Sequence, residues 1–113
     1  MNGVGTDQGF LDWELRGHGT AEITNVVVKS EHRRQGVGTG LVLKALNAMR
    51  SARVRYVYLF TELSNVGAQL FYEAQGFKRL RVIEGLYERG DGVLYGMVIR
   101  EEGGQPRGVA RTR

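Results

Sequence analysis

Cysteine is missing altogether from the 113 residues, which removes disulfides, thiolate metal sites and cysteine nucleophiles from consideration. A reducing compartment suits such a chain without being required, and a cytoplasmic location is expected. No apolar run approaches the length that crosses a bilayer. The opening MNGVGTDQGF has neither a basic segment nor an apolar one, so it does not read as a signal peptide. Neither a membrane partner nor a metal is expected. Tryptophan and proline each occur once, and no internal repeat or domain boundary interrupts the chain. Acidic residues are the scarcer charge, 12 against 16 basic ones, which leaves a net charge of +4 and a pI near 9.8. That balance suits an anionic partner, either nucleic acid or a phosphate-bearing cofactor, and equally a merely soluble basic surface. What remains is ordinary globular material, 42% hydrophobic and 25% charged, enough for one domain.

The first nine residues are glycine-rich and aperiodic, and are expected to be loose. From Phe10, FLDWELR alternates, with Leu11, Trp13 and Leu15 on one face, which predicts a half-buried strand. Gly17 to Gly19 read as a hairpin turn and Thr20 to Lys29 as the returning strand. Val37, Leu41, Val42, Ala45, Leu46 and Met49 recur at helical spacing. Arg55 to Glu62 are nearly all apolar and β-prone, as in a central strand paired in parallel. Ser64 or Asn65 can cap a second helix with a stripe of Val66, Leu70 and Ala74, and Gly76 followed by Phe77 supplies its stop. Two further strands read as joined through Gly90, Asp91 and Gly92. The expected fold is α/β with a mixed sheet flanked by helices, in the order β-β-α-β-α-β-β. Residues 10–100 form the domain, with 1–9 and 101–113 as flexible ends.

The sequence EHRRQGVGTGLVLKAL, Glu31 to Leu46, sets Gly36, Gly38 and Gly40 where a helix begins, although glycine costs about 1 kcal/mol against alanine in a helix interior. A helix N-terminus carries unpaired N–H groups and the positive end of the dipole, and glycines let a ligand reach them. With Arg33 and Arg34 adjacent, this is an anion site of the phosphate-cradling kind. A P-loop would need Gly-Lys-Ser/Thr, but Leu41 follows Gly40. A dinucleotide fingerprint needs a third glycine at position 41 and a tighter turn than SEHRRQ allows.

Arg33, Gly36 and Gly38 fit the pattern Arg/Gln-x-x-Gly-x-Gly/Ala. With AEITNVVV (Ala21 to Val28) ahead of it and LSNVGAQLFYEAQGF (Leu63 to Phe77) behind it, the chain resembles the GNAT (GCN5-related N-acetyltransferase) family. The likeness is greatest to the branch that acetylates protein N-terminal amines, with some likeness to the histone-acetylating branch at AEI. The resemblance implies an acetyl-CoA-dependent N-acetyltransferase acting on a primary amine, small or peptidic, by direct transfer in a ternary complex. The loop Arg33, Arg34, Gln35, Gly36, Val37, Gly38 and Thr39 would hold the pyrophosphate. Val26, Val27 and Val28 would pair with the pantetheine arm and also serve the core. Asn65 would contact the cofactor, or simply cap its helix.

Tyr72 falls near 240° on a wheel that starts at Val66, off the apolar stripe. The family's tyrosine here protonates the leaving thiolate; packing against the sheet is the alternative. Glu22 has strand parity with Val26 and Val28, and its counterpart in the histone-acetylating branch is the general base; pairing with a nearby arginine is the alternative. The N-terminal-amine branch has its glutamate base where Phe60 stands, and Glu62 is the nearby substitute. His18 and His32 read as turn and loop residues, and Tyr87 could line an acceptor pocket. No counterpart of the family's usual N-terminal β-α-α-β segment is expected before Phe10, so the strand from Phe10 to Arg16 is expected to be an uncovered edge and the chain a homodimer or larger assembly. A degenerate CoA-binding module is the rival reading. A nucleic-acid-binding domain is the weakest, because most aromatics sit in core-like segments instead of among the arginines.

Overall fold

The computed structural model describes residues 2–33 and 35–100. Six strands and two helices follow in order: β1 (Asn2–Thr6), β2 (Gly9–Gly17), β3 (Thr20–Val28), α1 (Val37–Ser51), β4 (Tyr56–Glu62), α2 (Val66–Ala74), β5 (Lys78–Tyr87) and β6 (Gly90–Val98), with a 3-10 turn at Ser30–His32. The strands form one mixed sheet in the order β1-β2-β3-β4-β6-β5. Only β3 and β4 pair in parallel, and only over Thr20–Glu22 against Tyr56–Tyr58. Beyond Glu22, β3 stays with β2 and β4 stays with β6, so a wedge opens between the two strands.

The core lies on one face of the sheet. Leu11, Trp13, Ala21, Ile23, Val57, Leu59, Val93 and Tyr95 share it with Leu41, Val42, Ala45 and Met49 of α1, and Phe71 and Tyr72 of α2 pack against the same cluster. Alternation along β4 therefore sends Tyr56, Tyr58, Phe60 and Glu62 to the opposite face.

Four expectations change. The glycine-rich start is a strand, with Asn2 opposite Trp13 and Thr6 opposite Gly9. Its glycines are what hide it: a Cβ at Gly3 would lie 2.9 Å from an Asp12 oxygen, and one at Gly5 3.3 Å from the Phe10 Cβ, so close pairing leaves no room for an alternating pattern. Consequently β2 is not an edge strand, and Leu11 and Trp13 are buried, although Leu15 remains 54% exposed.

The face of α2 is also reversed. Val66 and Leu70 are each 61% exposed, while Gln69 is buried. The Gln69 amide donates to the Leu63 carbonyl at 2.6 Å and to those of Glu62 and Asn65 at 3.3 Å, which offsets the cost of burying a polar group. Finally, Glu88 and Arg89 make the last hairpin turn, because Tyr87 already pairs with Gly90, and Gly92 lies in β6 beneath Leu86 and Tyr87. The helix stop at Gly76 is as read: φ is +101°, and the Phe77 N–H donates to the Tyr72 carbonyl at 3.0 Å. Residues 101–113, expected as a flexible tail, fall outside the described residues.

Candidate functional site

A cleft of about 750 Å³ opens where β3 and β4 part, between the start of α1 and the start of α2. Val26, Val27 and Val28 form one wall, Arg33, Gly36, Val37, Gly38 and Thr39 a second, and Asn65 and Tyr72 stand on a third. Ten of the sequence-predicted residues thus meet in one place. Gln35 does not line the cleft; its amide donates back to the Glu31 carbonyl at 3.4 Å. Arg34 lies outside the described residues.

Local physics builds the anion-binding end. Gly36 is the N-cap of α1 at φ +80°, a left-handed conformation that favours glycine, and no side chain caps the helix. The first-turn N–H groups therefore keep their hydrogens for a ligand. A Cβ at Gly38 would lie 3.1 Å from the Phe71 ring, so the bare residue lets α1 and α2 close on each other. The Thr39 hydroxyl accepts from the Gln75 amide at 3.0 Å, a further tie between the helices. Arg33 Nε donates to the Val28 carbonyl at 3.3 Å, which holds its guanidinium at the mouth of the cleft. At the third wall, the Asn65 side chain caps α2 by accepting from the Ala68 N–H at 3.0 Å, so the cap reading and the lining reading both hold.

Gly67, Ala68 and Phe71 also line the cleft and were not anticipated. Two small residues in a helix's first turn, directly after a capping asparagine, were the available signal.

Tyr72 is half-buried among aromatic rings, 5.2 Å from Phe71, 5.9 Å from Phe77 and 6.4 Å from Tyr95, centroid to centroid. Burial pushes its hydroxyl pKa up, and a charge on Tyr87 would add to that. The Tyr87 hydroxyl is raised as well, first by burial and then by the charges of Glu62 and Glu22. Tyr72, Tyr87, Glu62 and Glu22 thus share one electrostatic neighbourhood around the wedge.

The two carboxylates differ in circumstance. Glu22 is ion-paired: Arg16 Nε and Nη2 donate to its Oε1 at 3.0 and 2.8 Å, while Arg16 Nη1 reaches Glu14 at 3.0 Å. This is the arginine-paired alternative of the sequence reading. The parity argument for Glu22 fails too. Trp13 faces Ile23 whereas Asp12 faces Asn25, so Thr24 is an unpaired bulge residue. Val26, opposite the buried Leu11, turns to the core face, and Glu22, opposite Glu14, turns away from it. Glu62 is exposed at the end of β4, with no ion pair among the described residues. It borders a second pocket of about 460 Å³ with Leu63, Ser64, Arg89, Gly90 and Asp91.

Comparison with known proteins finds acetyltransferases. The chain is 34% identical over 67 residues to GCN5-related N-acetyltransferase 4, chloroplastic, of Arabidopsis thaliana, covering 59% of this chain and 23% of that protein. It is 44% identical over 57 residues to human N-alpha-acetyltransferase 30, covering 50% of this chain and 16% of that one. The chain spans between 23% and 56% of the length of the first curated relatives it matches. The crystal structure of a Bacillus subtilis acetyltransferase in complex with CoA superposes with a TM-score of 0.76 at 20% identity, over 82% of this chain and 70% of that one, which shows a common fold. The sequence profile of the acetyltransferase (GNAT) family matches residues 4–77, from β1 through the end of α2 and across every wall of the cleft, and the chain belongs to that family.

Proposed function

We propose that the chain is an N-acetyltransferase that takes acetyl-CoA in the cleft and passes the acetyl group directly to a primary amine in a ternary complex. The observation that carries this reading is the convergence on one cleft of an uncapped helix N-terminus, the Arg33 guanidinium and the outer half of β3. These residues fit the donor: N–H groups and arginine for a pyrophosphate, and an apolar strand edge for an extended amide-bearing arm. The branch that acts on protein α-amino groups is favoured as the source of the acceptor, through the likeness to N-alpha-acetyltransferase 30.

Tyr72 serves as the general acid. Its raised pKa keeps the proton in place until the C–S bond breaks, when it passes to the leaving sulfur. Glu62 serves as the base that takes a proton from the incoming ammonium, because its carboxylate is uncommitted where that of Glu22 is held by Arg16. Catalysis takes place in the cytoplasm. Assembly into a homodimer is retained through β5, an edge strand with Leu80, Val82 and Leu86 exposed, and no longer through β2. Light scattering at micromolar concentration tests it, and a monomer would refute it.

The deciding experiment follows CoA thiol release from acetyl-CoA over a panel of N-terminal peptides, lysine peptides and small amines. Tyr72→Phe should lower kcat by about 10²-fold with the Kd for CoA nearly unchanged, and Glu62→Gln should depress the rate most at low pH. Full turnover in both variants would remove the assigned acid and base. CoA binding with no release on any amine would favour the second reading, a CoA-binding module, which the chain's share of its relatives' length keeps in view.

A further inference from the structure

We propose that the far end of α1 docks the phosphate backbone of single-stranded RNA, held by Arg50, Arg53 and Arg55. These side chains, with Ser51, Val54 and Ile99, line a pocket of about 370 Å³. The helix has 15 residues, which places this pocket about 22 Å from the uncapped N-terminus at 1.5 Å per residue. No lining residue is shared with the cofactor cleft.

Ion pairing does not account for these arginines. Among the described residues the ion pairs are those of Arg16, so none of the three has a carboxylate of a described residue within 4.0 Å. Helix capping does not require them either. The carbonyls of Ala48, Met49 and Arg50 already accept from the N–H groups of Ala52, Val54 and Arg53. Arg53 sits at φ +65°, a left-handed conformation that glycine would adopt more easily.

The cluster is also pre-set. Arg50 Nε donates to the Arg100 carbonyl and Nη1 to Asn47 Oδ1, each at 2.6 Å, which orients its guanidinium. The Arg55 N–H donates to the Gly19 carbonyl at 2.7 Å and its carbonyl accepts from Ile99 at 2.8 Å, which ties the rim to the β2–β3 turn and to the chain just past β6.

Arginine accounts for 13 of the 16 basic residues of the chain, and its planar fork matches phosphate oxygens in pairs. Phosphate contacts need no aromatic stacking partner. The separation of aromatics from arginines, which argued against nucleic acid as the principal ligand, therefore does not bear on this surface. A concave pocket lined by three arginines suits a strand that can bend into it better than a rigid duplex.

The test uses the full chain, because Glu101 and Glu102 follow Arg100 directly in the sequence. Saturating CoA fills the cleft, and a fluorescein-labelled single-stranded RNA of mixed sequence is the probe, read by anisotropy against salt. Three phosphate contacts give a slope of log Kobs against log salt of about −2. Arg53→Gly combined with Arg55→Gln should cut the slope to about −0.7 and weaken binding about tenfold or more at low salt. Thermal melting of Arg53→Gly alone should be unchanged or higher, since glycine relieves the left-handed backbone. An unchanged slope and affinity in the double variant would overturn the proposal. So would binding of inorganic phosphate without RNA, which would assign the pocket to a free anion, or binding of phosphatidylserine vesicles without RNA. None of these readouts depends on acetyl transfer.

Discussion

Gly38→Val separates the two demands made on the turn before α1. A Cβ at this position would lie 3.1 and 3.2 Å from two Phe71 ring atoms and 3.7 Å from Val28 Cγ2. The ring is half-buried at the cleft wall and can give by a few tenths of an ångström. Valine is a slightly better helix former than glycine, so the stability of the free protein should change by less than about 1 kcal/mol. Binding should suffer far more. The branched side chain has to stand over the first-turn N–H groups or press into the cleft. At about a hundredfold excess of CoA over its Kd, the native protein gains about 2.7 kcal/mol by mass action. For a domain of this size that corresponds to a rise in Tm on the order of 10 °C. The variant should lose nearly all of it.

Gly40→Ala is the control. No atom lies within 4 Å of its Cβ position, and Gly40 does not line the cleft. It should stabilise the chain by up to about 1 kcal/mol of helix propensity, raising Tm, and keep the CoA response. The assay is differential scanning fluorimetry of native and variant chains with and without CoA. A Gly38→Val chain that folds and still shows the native CoA-induced rise would refute the assignment of this loop to the pyrophosphate.

Two further outcomes follow from the packing. Tyr95 donates to Glu73 Oε2 at 2.7 Å, and burial first, then that bond, push its hydroxyl pKa up to about 12 from an ordinary 10. The native state thus keeps a proton that the unfolded chain releases, so this stabilisation is complete below about pH 10 and is lost as pH rises toward 12. Tyr95→Phe should flatten that alkaline decline and cost about 1 kcal/mol at neutral pH, measured by urea unfolding at both pH values. Arg16→Gln breaks the links to Glu14 and Glu22, but these are solvent-exposed ion pairs, so the urea midpoint should fall only slightly. A urea midpoint that falls by much more would show the trio to be structural.

The cleft was legible because its residues are few, special and contiguous: a glycine loop before one helix, an asparagine and a tyrosine on the next. Chemistry forces those residue types, and backbone donors leave a pattern of glycines that packing alone does not explain. The far side of the wedge was harder to read. Period-2 reasoning put Glu22 beside Val26, and a single bulged residue, Thr24, reverses that assignment without a trace in hydrophobicity. In α2 the apolar stripe pointed the wrong way, because Gln69 meets its hydrogen-bonding needs in the turn before the helix and so competes with leucine for the interior. The strand at Asn2–Thr6 was hidden because its glycines make close pairing possible and carry no periodic signal.

Thr24 has a consequence for how such a protein can diversify. Because the strand changes sides at that residue, its first half serves the open face with Glu22 and its second half serves the cleft with Val26 and Val28. Substitutions at Glu22 can change the open face without touching the walls of the cleft, and substitutions at Val26 and Val28 can do the reverse. Pairing Thr24 into the ladder would end that independence. Strict alternation would return, the second half of the strand would turn over, and Val27 would face inward where Val26 and Val28 now pack. One unpaired threonine thus lets a single strand serve two faces that can vary separately.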